Sequence, residues 1–323
     1  TALLGSPPPV PVSWSACVPT SLISPAAWIM LAVVIGADAV LCLALGLSVK
    51  FASFSTALIA ASGAFALAWF YTAKRPEPPL AMMAMSLFYL VLFTALCAVL
   101  SYASVAFGLP LLDAELAALD ARLGLDWMAL LTFVDAHPLL ALAMQIAYAA
   151  SLPHVALAAL VLSFNGDHDR LRLLLVLFAV TGATTCVLSG LLPAAGAFVH
   201  YAPADHLRVV VGTDAGLWHL TQINALRDGT MTVIDIAHAE GLVTFPSFHT
   251  ALAIVCGWAT WRVRYVAWPS ALLAAFIVAS TPSIGGHHFV DIFAGAGIAF
   301  AAIWLAQRQW APRAVRETAL ASG

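Results

Sequence analysis

The sequence predicts an all-α integral membrane protein. Three observations predict it: the composition, the length of the apolar runs, and the side on which the positive charges fall. Of 323 residues, 63% are hydrophobic and only 9% are charged, and the mean hydropathy is +0.97. Soluble domains carry about 25% charged residues, and a soluble core cannot use this much apolar surface, whereas a bilayer can. Several runs approach or exceed the roughly 20 apolar residues that cross a hydrocarbon core. Such segments are expected to be helices, because lipid offers the backbone no hydrogen-bond partner.

Eight spans are expected, near Ala26–Val49, Phe54–Ala73, Leu80–Ala106, Pro138–Phe164, Leu171–Leu192, Ser247–Trp261, Val266–Thr281 and His288–Leu305. The sixth and seventh are short, as tilted or partly wrapped helices would be. The domain reading follows from these runs. Residues 1–25 form an irregular, proline-rich tail, 26–79 two additional spans, 80–307 a six-span core, and 308–323 a cytoplasmic tail.

Charge tests the count. With the N-terminus in the cytoplasm, the inner loops and tail hold Lys74, Arg75, Arg170, Arg172, Arg262, Arg264, Arg308, Arg313 and Arg316. Only Lys50, Arg122, Arg208 and Arg227 fall outside. That is the positive-inside pattern, and an odd number of spans would destroy it. The chain is thus expected in a bacterial-type inner (plasma) membrane with both termini cytoplasmic. Trp28, Trp69, Tyr71, Trp261, Trp268 and Trp310 stand near span ends as interfacial anchors.

A net charge of −3 offers no basic face for nucleic acid. The five cysteines form no CxxC pair and read as small hydrophobes, with neither a disulfide frame nor a zinc site. Two outer segments exceed what a linker needs. Leu109–His137 has Leu112, Leu116, Leu119 and Leu123 at helical spacing, with Asp113, Glu115, Asp120 and Arg122 between them. It reads as an amphipathic helix lying on the interface. The other, residues 193–246, is the longest polar stretch.

Ionisable residues are costly in a membrane, so their placement informs function. Phe245-Pro246-Ser247-Phe248-His249 opens the sixth span. Proline suits a first helical turn, and the free amides there attract an anion. Ser280-Thr281-Pro282-Ser283-Ile284-Gly285-Gly286-His287-His288-Phe289-Val290-Asp291 leads into the eighth. His287 and Asp291 are four apart and share a helix face, so the carboxylate can orient the imidazole. Gly295 continues that face and permits close helix approach. Topology puts both clusters, about 40 residues apart, at the same level on the outer side. Two histidines with an oriented carboxylate can break a phosphate ester without metal: one attacks phosphorus, the other protonates the leaving oxygen.

The pattern resembles the type 2 phosphatidic acid phosphatase superfamily, whose motifs are K-x6-R-P, P-S-G-H and S-R-x5-H-x3-D. Pro246-Ser247-Phe248-His249 matches the second except at Phe248. Ser280, His287 and Asp291 match the third, with Thr281 in place of Arg. The first is not recognisable, and Lys74-Arg75-Pro76 lies on the wrong side of the membrane. His287-His288-Phe289-Val290-Asp291 and Leu192-Pro193-Ala194-Ala195-Gly196 look like the inositol-phosphorylceramide synthase branch.

The resemblance covers roughly residues 80–307. It implies His287 as the nucleophile, Asp291 as its orienter and His249 as the general acid, with Ser247 and nearby amides on the phosphate and no cofactor. With Thr281 replacing Arg, the long outer segment offers Arg208 and Arg227, and Arg227 is the favoured phosphate ligand, the alternative being a surface arginine paired with Asp228. His288 reads as a packing or hydrogen-bonding residue, and His200, His206, His219 and His238 as loop residues, with a site role for His200 or Tyr201 the lesser alternative.

The function expected is a lipid phosphatase or phosphotransferase on a phosphorylated amphiphile, with water or an alcohol acceptor resolving a phosphohistidine. The alternatives are a histidine-lined transporter built on intramembrane His154 and Asp38, and a non-catalytic lipid-binding relative. A transporter would require its ligating residues to face one another at mid-membrane.

Overall fold

A computed structural model describes residues 19–203, 217 and 219–310. The tail before residue 19 (with Cys17), His206, Arg208, Arg313 and Arg316 lie outside the described residues. The described chain is helical apart from one two-residue strand pair. In chain order the helices are α1 (Pro25–Leu45), α2 (Ser55–Ala73), α3 (Pro78–Val105), α4 (Asp113–Arg122), α5 (Trp127–Asp135), α6 (Pro138–Ala149) and α7 (Ser151–Phe164). They continue with α8 (His168–Leu191), α9 (Ala197–Tyr201), α10 (Leu220–Arg227), α11 (Phe248–Thr260), α12 (Ala267–Ile284) and α13 (Phe289–Trp310).

Among the described residues six helices are long and apolar enough to cross a membrane: α1, α2 with its leading turn from Phe51, α3, α8, α12 and α13. The other two expected spans are shorter. The run Pro138–Phe164 is interrupted at Ala150, dividing α6 from α7, and the run from Ser247 gives the 13-residue α11.

Local chemistry sets the ends. Ser24 caps α1, accepting from the Ala27 amide at 3.2 Å, with Pro25 in the first turn. Gly46, at φ 66°, ends that helix in the left-handed region open to glycine. Asp167 caps α8 by accepting from the Arg170 amide. At the far end of α11, Arg170 Nε donates to the Ala259 carbonyl at 2.5 Å and its guanidinium also bonds Trp258 O, satisfying exposed helix carbonyls.

The main apolar core joins α3, α7, α8, α11 and α13; α1 adds Leu31 and Val34 to it, packed on α3 and α8, and α2 packs on α3. α8 is the most enclosed span and α1 the least. The link between α1 and α2 is not free: β1 (Ser48–Val49) runs parallel to β2 (Val233–Ile234), and Lys50 pairs with Asp235 at 2.8 Å. The two additional spans are thereby tied to the long 193–246 segment.

The expectation of one amphipathic helix over 109–137 is corrected. Two helices form there, and α5 meets α6 at 111°. Nor are the charges of α4 all at an interface. Its inward face is Asp113, Leu116, Ala117 and Asp120, while Leu119 and Leu123 are exposed. The two aspartates are seven apart and therefore share a stripe with Leu116. They go inward because backbone amides there need acceptors.

Candidate active site

Two helix N-termini meet. Ser247 caps α11, its Oγ accepting from the Thr250 amide at 3.3 Å, and its own amide donates to the Asp291 carbonyl at 3.0 Å. The approach needs glycine at 295: a Cβ there would fall on the Ser247 carbonyl oxygen. This crossing brings His249, in the first turn of α11, beside His287, in the loop before α13. The ring centroids are 6.4 Å apart. At that separation a single phosphoryl group can reach both rings.

Each imidazole has one nitrogen engaged. His287 Nδ1 lies 3.2 Å from Asp291 Oδ2, which also accepts the His288 amide at 2.9 Å. His249 Nδ1 lies 3.3 Å from the Tyr148 hydroxyl, and the two rings stack at 4.4 Å. In each ring Nε2 is the nitrogen that neither Asp291 nor Tyr148 holds. His287 and Asp291 are buried, at 2% and 0% exposure. Burial lowers the pKa of His287 to about 4, with a Thr244 backbone hydrogen bond opposing it, so the ring is neutral at neutral pH.

Around this pair lies a shell of carboxylates that the motifs do not contain. Asp113 accepts from the amides of Ala195 (2.9 Å) and Gly196 (2.7 Å), and lies 3.4 Å from His288 Nε2. Burial pushes its carboxyl up, but the His288 and backbone hydrogen bonds outweigh that and hold it below the usual range. Asp120 accepts from the amides of Phe289 (2.8 Å) and Val290 (2.9 Å) and so caps α13 across 169 residues of chain. His288 Nδ1 faces it at 3.8 Å.

The Leu192–Gly196 segment docks against the glycines before His287. The Ala197 amide donates to the Gly286 carbonyl at 2.7 Å, and Gly196 at φ 108° leaves no room for a side chain against that oxygen. His200 and Tyr201 of α9 also reach the His288 ring, with centroids at 5.9 and 6.2 Å.

Of the residues singled out in the sequence, the fold brings together His249, His287, Asp291, Ser247 and His288. Ser280 is buried within α12 and donates to the Ile277 carbonyl of its own helix. Arg227 ends α10, which packs on α3. No hydrogen bond or ion pair among the described residues joins it to the imidazoles, and its Nη1 is buried without a hydrogen-bond partner.

Tyr148, Asp113 and Asp120 escaped the sequence reading. The i, i+7 placement of the two aspartates beside Leu116 was the available signal. His154 bonds Ser270 Oγ at 2.7 Å, and Thr260 donates to the same hydroxyl, a link between α7, α11 and α12. Neither carboxylate oxygen of Asp38 has a hydrogen-bond partner, and no ion pair among the described residues joins it to His154. Among those residues, no group of three or more His, Cys, Asp or Glu is arranged to hold a metal ion.

Comparison with known proteins finds one family. A model of the PAP2 superfamily matches residues 114–305, which takes in α5 through α12, nearly all of α4 and the part of α13 that carries Asp291. No curated protein and no solved structure matches significantly.

Proposed function

This chain belongs to the PAP2 superfamily, and from that premise we propose that it is a metal-independent lipid phosphatase or head-group phosphotransferase acting through a phosphohistidine on His287. Membership carries the coarser part, phosphatase-type activity on lipid phosphates in a membrane. The finer part rests on one observation: two facing imidazoles, each with Nδ1 already engaged, 6.4 Å apart between centroids.

In this reading His287 Nε2 attacks phosphorus as the bond to the leaving oxygen breaks, and His249 gives that oxygen its proton. Asp291 accepts a hydrogen bond from Nδ1–H and stabilises the charge that grows on the ring. Water, or an alcohol, then attacks phosphorus. Its proton passes to His249, and the P–N bond breaks to regenerate His287. A phosphate between the rings supplies the negative charge that favours an imidazolium at His249.

The N-terminus of α11, capped by Ser247, lends amides and dipole to the phosphate oxygens. Arg227 is the proposed cationic ligand, because an anion would satisfy its unpartnered Nη1. The His-His-Phe-Val-Asp run and the docked Leu192–Gly196 segment favour the inositol-phosphorylceramide synthase-like branch, and with it transfer to an alcohol. The charge distribution favours a site at the outer face, with the lipid tail in the bilayer.

The test is phosphate release, or head-group exchange, from a panel of lipid phosphates, comparing wild type with His287→Ala, with and without a chelator. Turnover should survive chelation and vanish in the variant, and a ³²P-labelled acid-labile enzyme adduct should appear only in wild type. Turnover abolished by chelator, or retained by His287→Ala, would overturn the reading.

A further inference from the structure

The loop that carries His287 is gripped at both ends by one helix lying outside the catalytic motifs. Asp113, at the start of α4, holds the amides of Ala195 and Gly196. The next amide, that of Ala197, holds the Gly286 carbonyl one residue before His287. Asp120, two turns along the same face of α4, holds the amides of Phe289 and Val290, just after the His-His pair. The His288 ring is fully buried between the two carboxylates, 3.4 Å from one and 3.8 Å from the other. The neighbouring helix α5 adds a further tie, Trp127 Nε1 donating to the Pro282 carbonyl at 3.0 Å at the end of α12.

We propose that Asp113, Asp120 and His288 are positioning residues that lock α4 onto the 286–290 loop and thereby aim His287 at the substrate phosphorus. The proposal deepens the functional reading above and rests on it. These side chains touch no substrate atom in this scheme. They act by fixing two short loops whose glycines would otherwise leave them free to shift. A carboxylate suits the task, since each aspartate offers a separate oxygen to each of two successive amides, whereas an amide side chain has an acceptor at only one end. His288 Nε2 contributes a donor to Asp113. Glutamine can reproduce that donor and alanine cannot.

The test uses the full-length protein in detergent or liposomes, with a short-chain phosphatidic acid as substrate. It compares Asp113→Asn, Asp120→Asn, His288→Gln and His288→Ala with Glu115→Gln, a control on the exposed face of α4. Two readouts are taken: the split between kcat and KM, and amide hydrogen exchange in peptides covering 193–197 and 285–292.

A misaimed nucleophile should lower kcat about 10- to 100-fold, while KM stays within about threefold because ground-state binding is untouched. Both peptides should exchange faster in the aspartate variants. His288→Gln should keep more of kcat than His288→Ala, and Glu115→Gln should match wild type in both readouts. An effect confined to KM, unchanged exchange in 285–292, or equal losses in the two His288 variants would overturn the clamp.

Should Asp113→Asn fail to give a monodisperse protein, Asp120→Asn and His288→Gln carry the test. If wild type turns over no lipid phosphate at all, the functional reading fails by itself, and the exchange data still decide whether α4 holds the loop.

Discussion

At the scale of single residues, the chemistry depends on proton positions that burial enforces. An ordinary histidine titrates near 6.5, but His287 is lowered to about 4 by burial. As the proposed nucleophile His287 must be unprotonated, so the sign is set: activity is available above the folded pKa and lost as pH falls through it. The acid limb of kcat/KM, which reports the free enzyme, is therefore expected near pH 4. A limb near 6.5 would mean that the nucleophile is exposed or is another group. Removing His249, the proposed proton donor, is a separate test. His249→Ala should cost about 10²–10⁴-fold in kcat for substrates with poor leaving groups, and much less for an aryl phosphate whose leaving oxygen needs no proton.

Much of this pair was legible in the sequence. His287 and Asp291 stand four apart at a helix start, and His249 follows a proline–serine cap. Tyr148 was not legible, and the i, i+7 spacing of Asp113 and Asp120 marks only a shared face; each of the three reaches the site from a helix distant in sequence, and no motif ties it there. A hydrogen bond to a charged group contributes about 1.5–3 kcal/mol, so the four amides held by Asp113 and Asp120 outweigh the preference of a carboxylate for water.

At the scale of elements, the site exists because α11 and α13 approach closely at their N-termini. Gly295 makes that possible, since any side chain would strike the Ser247 carbonyl. Gly295→Ala should therefore destabilise by about 1–3 kcal/mol, the usual cost of overpacking, and should lower activity as well, because the displaced atom belongs to the residue capping the His249 helix. Gly297→Ala is the matched control. Nothing lies within 4 Å of a Cβ at that position, so its melting temperature in detergent and its turnover should stay close to wild type. Equal behaviour of the two variants would remove the close approach from the explanation.

Helix type and the longer spans were readable from apolar runs. The division at Ala150 was missed although Pro153 marks it: proline has no amide to bond the Ala149 carbonyl, so the helix breaks there and restarts with Pro153 in the first turn of α7. The inward face of α4 was misread for a different reason. Hydrophobic periodicity locates a buried stripe, and aspartates within that stripe look like solvent-facing charges until their amide partners, 82 and 169 residues further along the chain, are known.

At the scale of the whole molecule, the open matter is which side of the membrane the site faces, and the charge pattern gives a definite expectation. Lys74 and Arg75, after α2, share one side with Arg170 and Arg172, at the start of α8. The described part of the 193–246 segment, which leaves the far end of α8, leads into α11 and is pinned to the α1–α2 link by the β1–β2 pair, lies at the opposite end with the two imidazoles. If positive residues stay in the cytoplasm, the site is external, and a lipid substrate is reached from the outer leaflet.

Single added cysteines read this out against the native ones, of which Cys42, Cys186 and Cys256 are buried and Cys97 is half-buried. Thr230→Cys, exposed at the end of the turn after α10, should react with a membrane-impermeant maleimide in intact cells. Lys74→Cys should react only after permeabilisation. The reverse pattern would invert the protein, move the imidazoles to the cytoplasmic leaflet and leave the two-histidine chemistry intact, but it would make the substrate an inner-leaflet lipid. The exposed Lys50–Asp235 ion pair should matter little to either outcome. Surface pairs contribute only about 0–1 kcal/mol, so Lys50→Ala is expected to leave the labelling pattern unchanged.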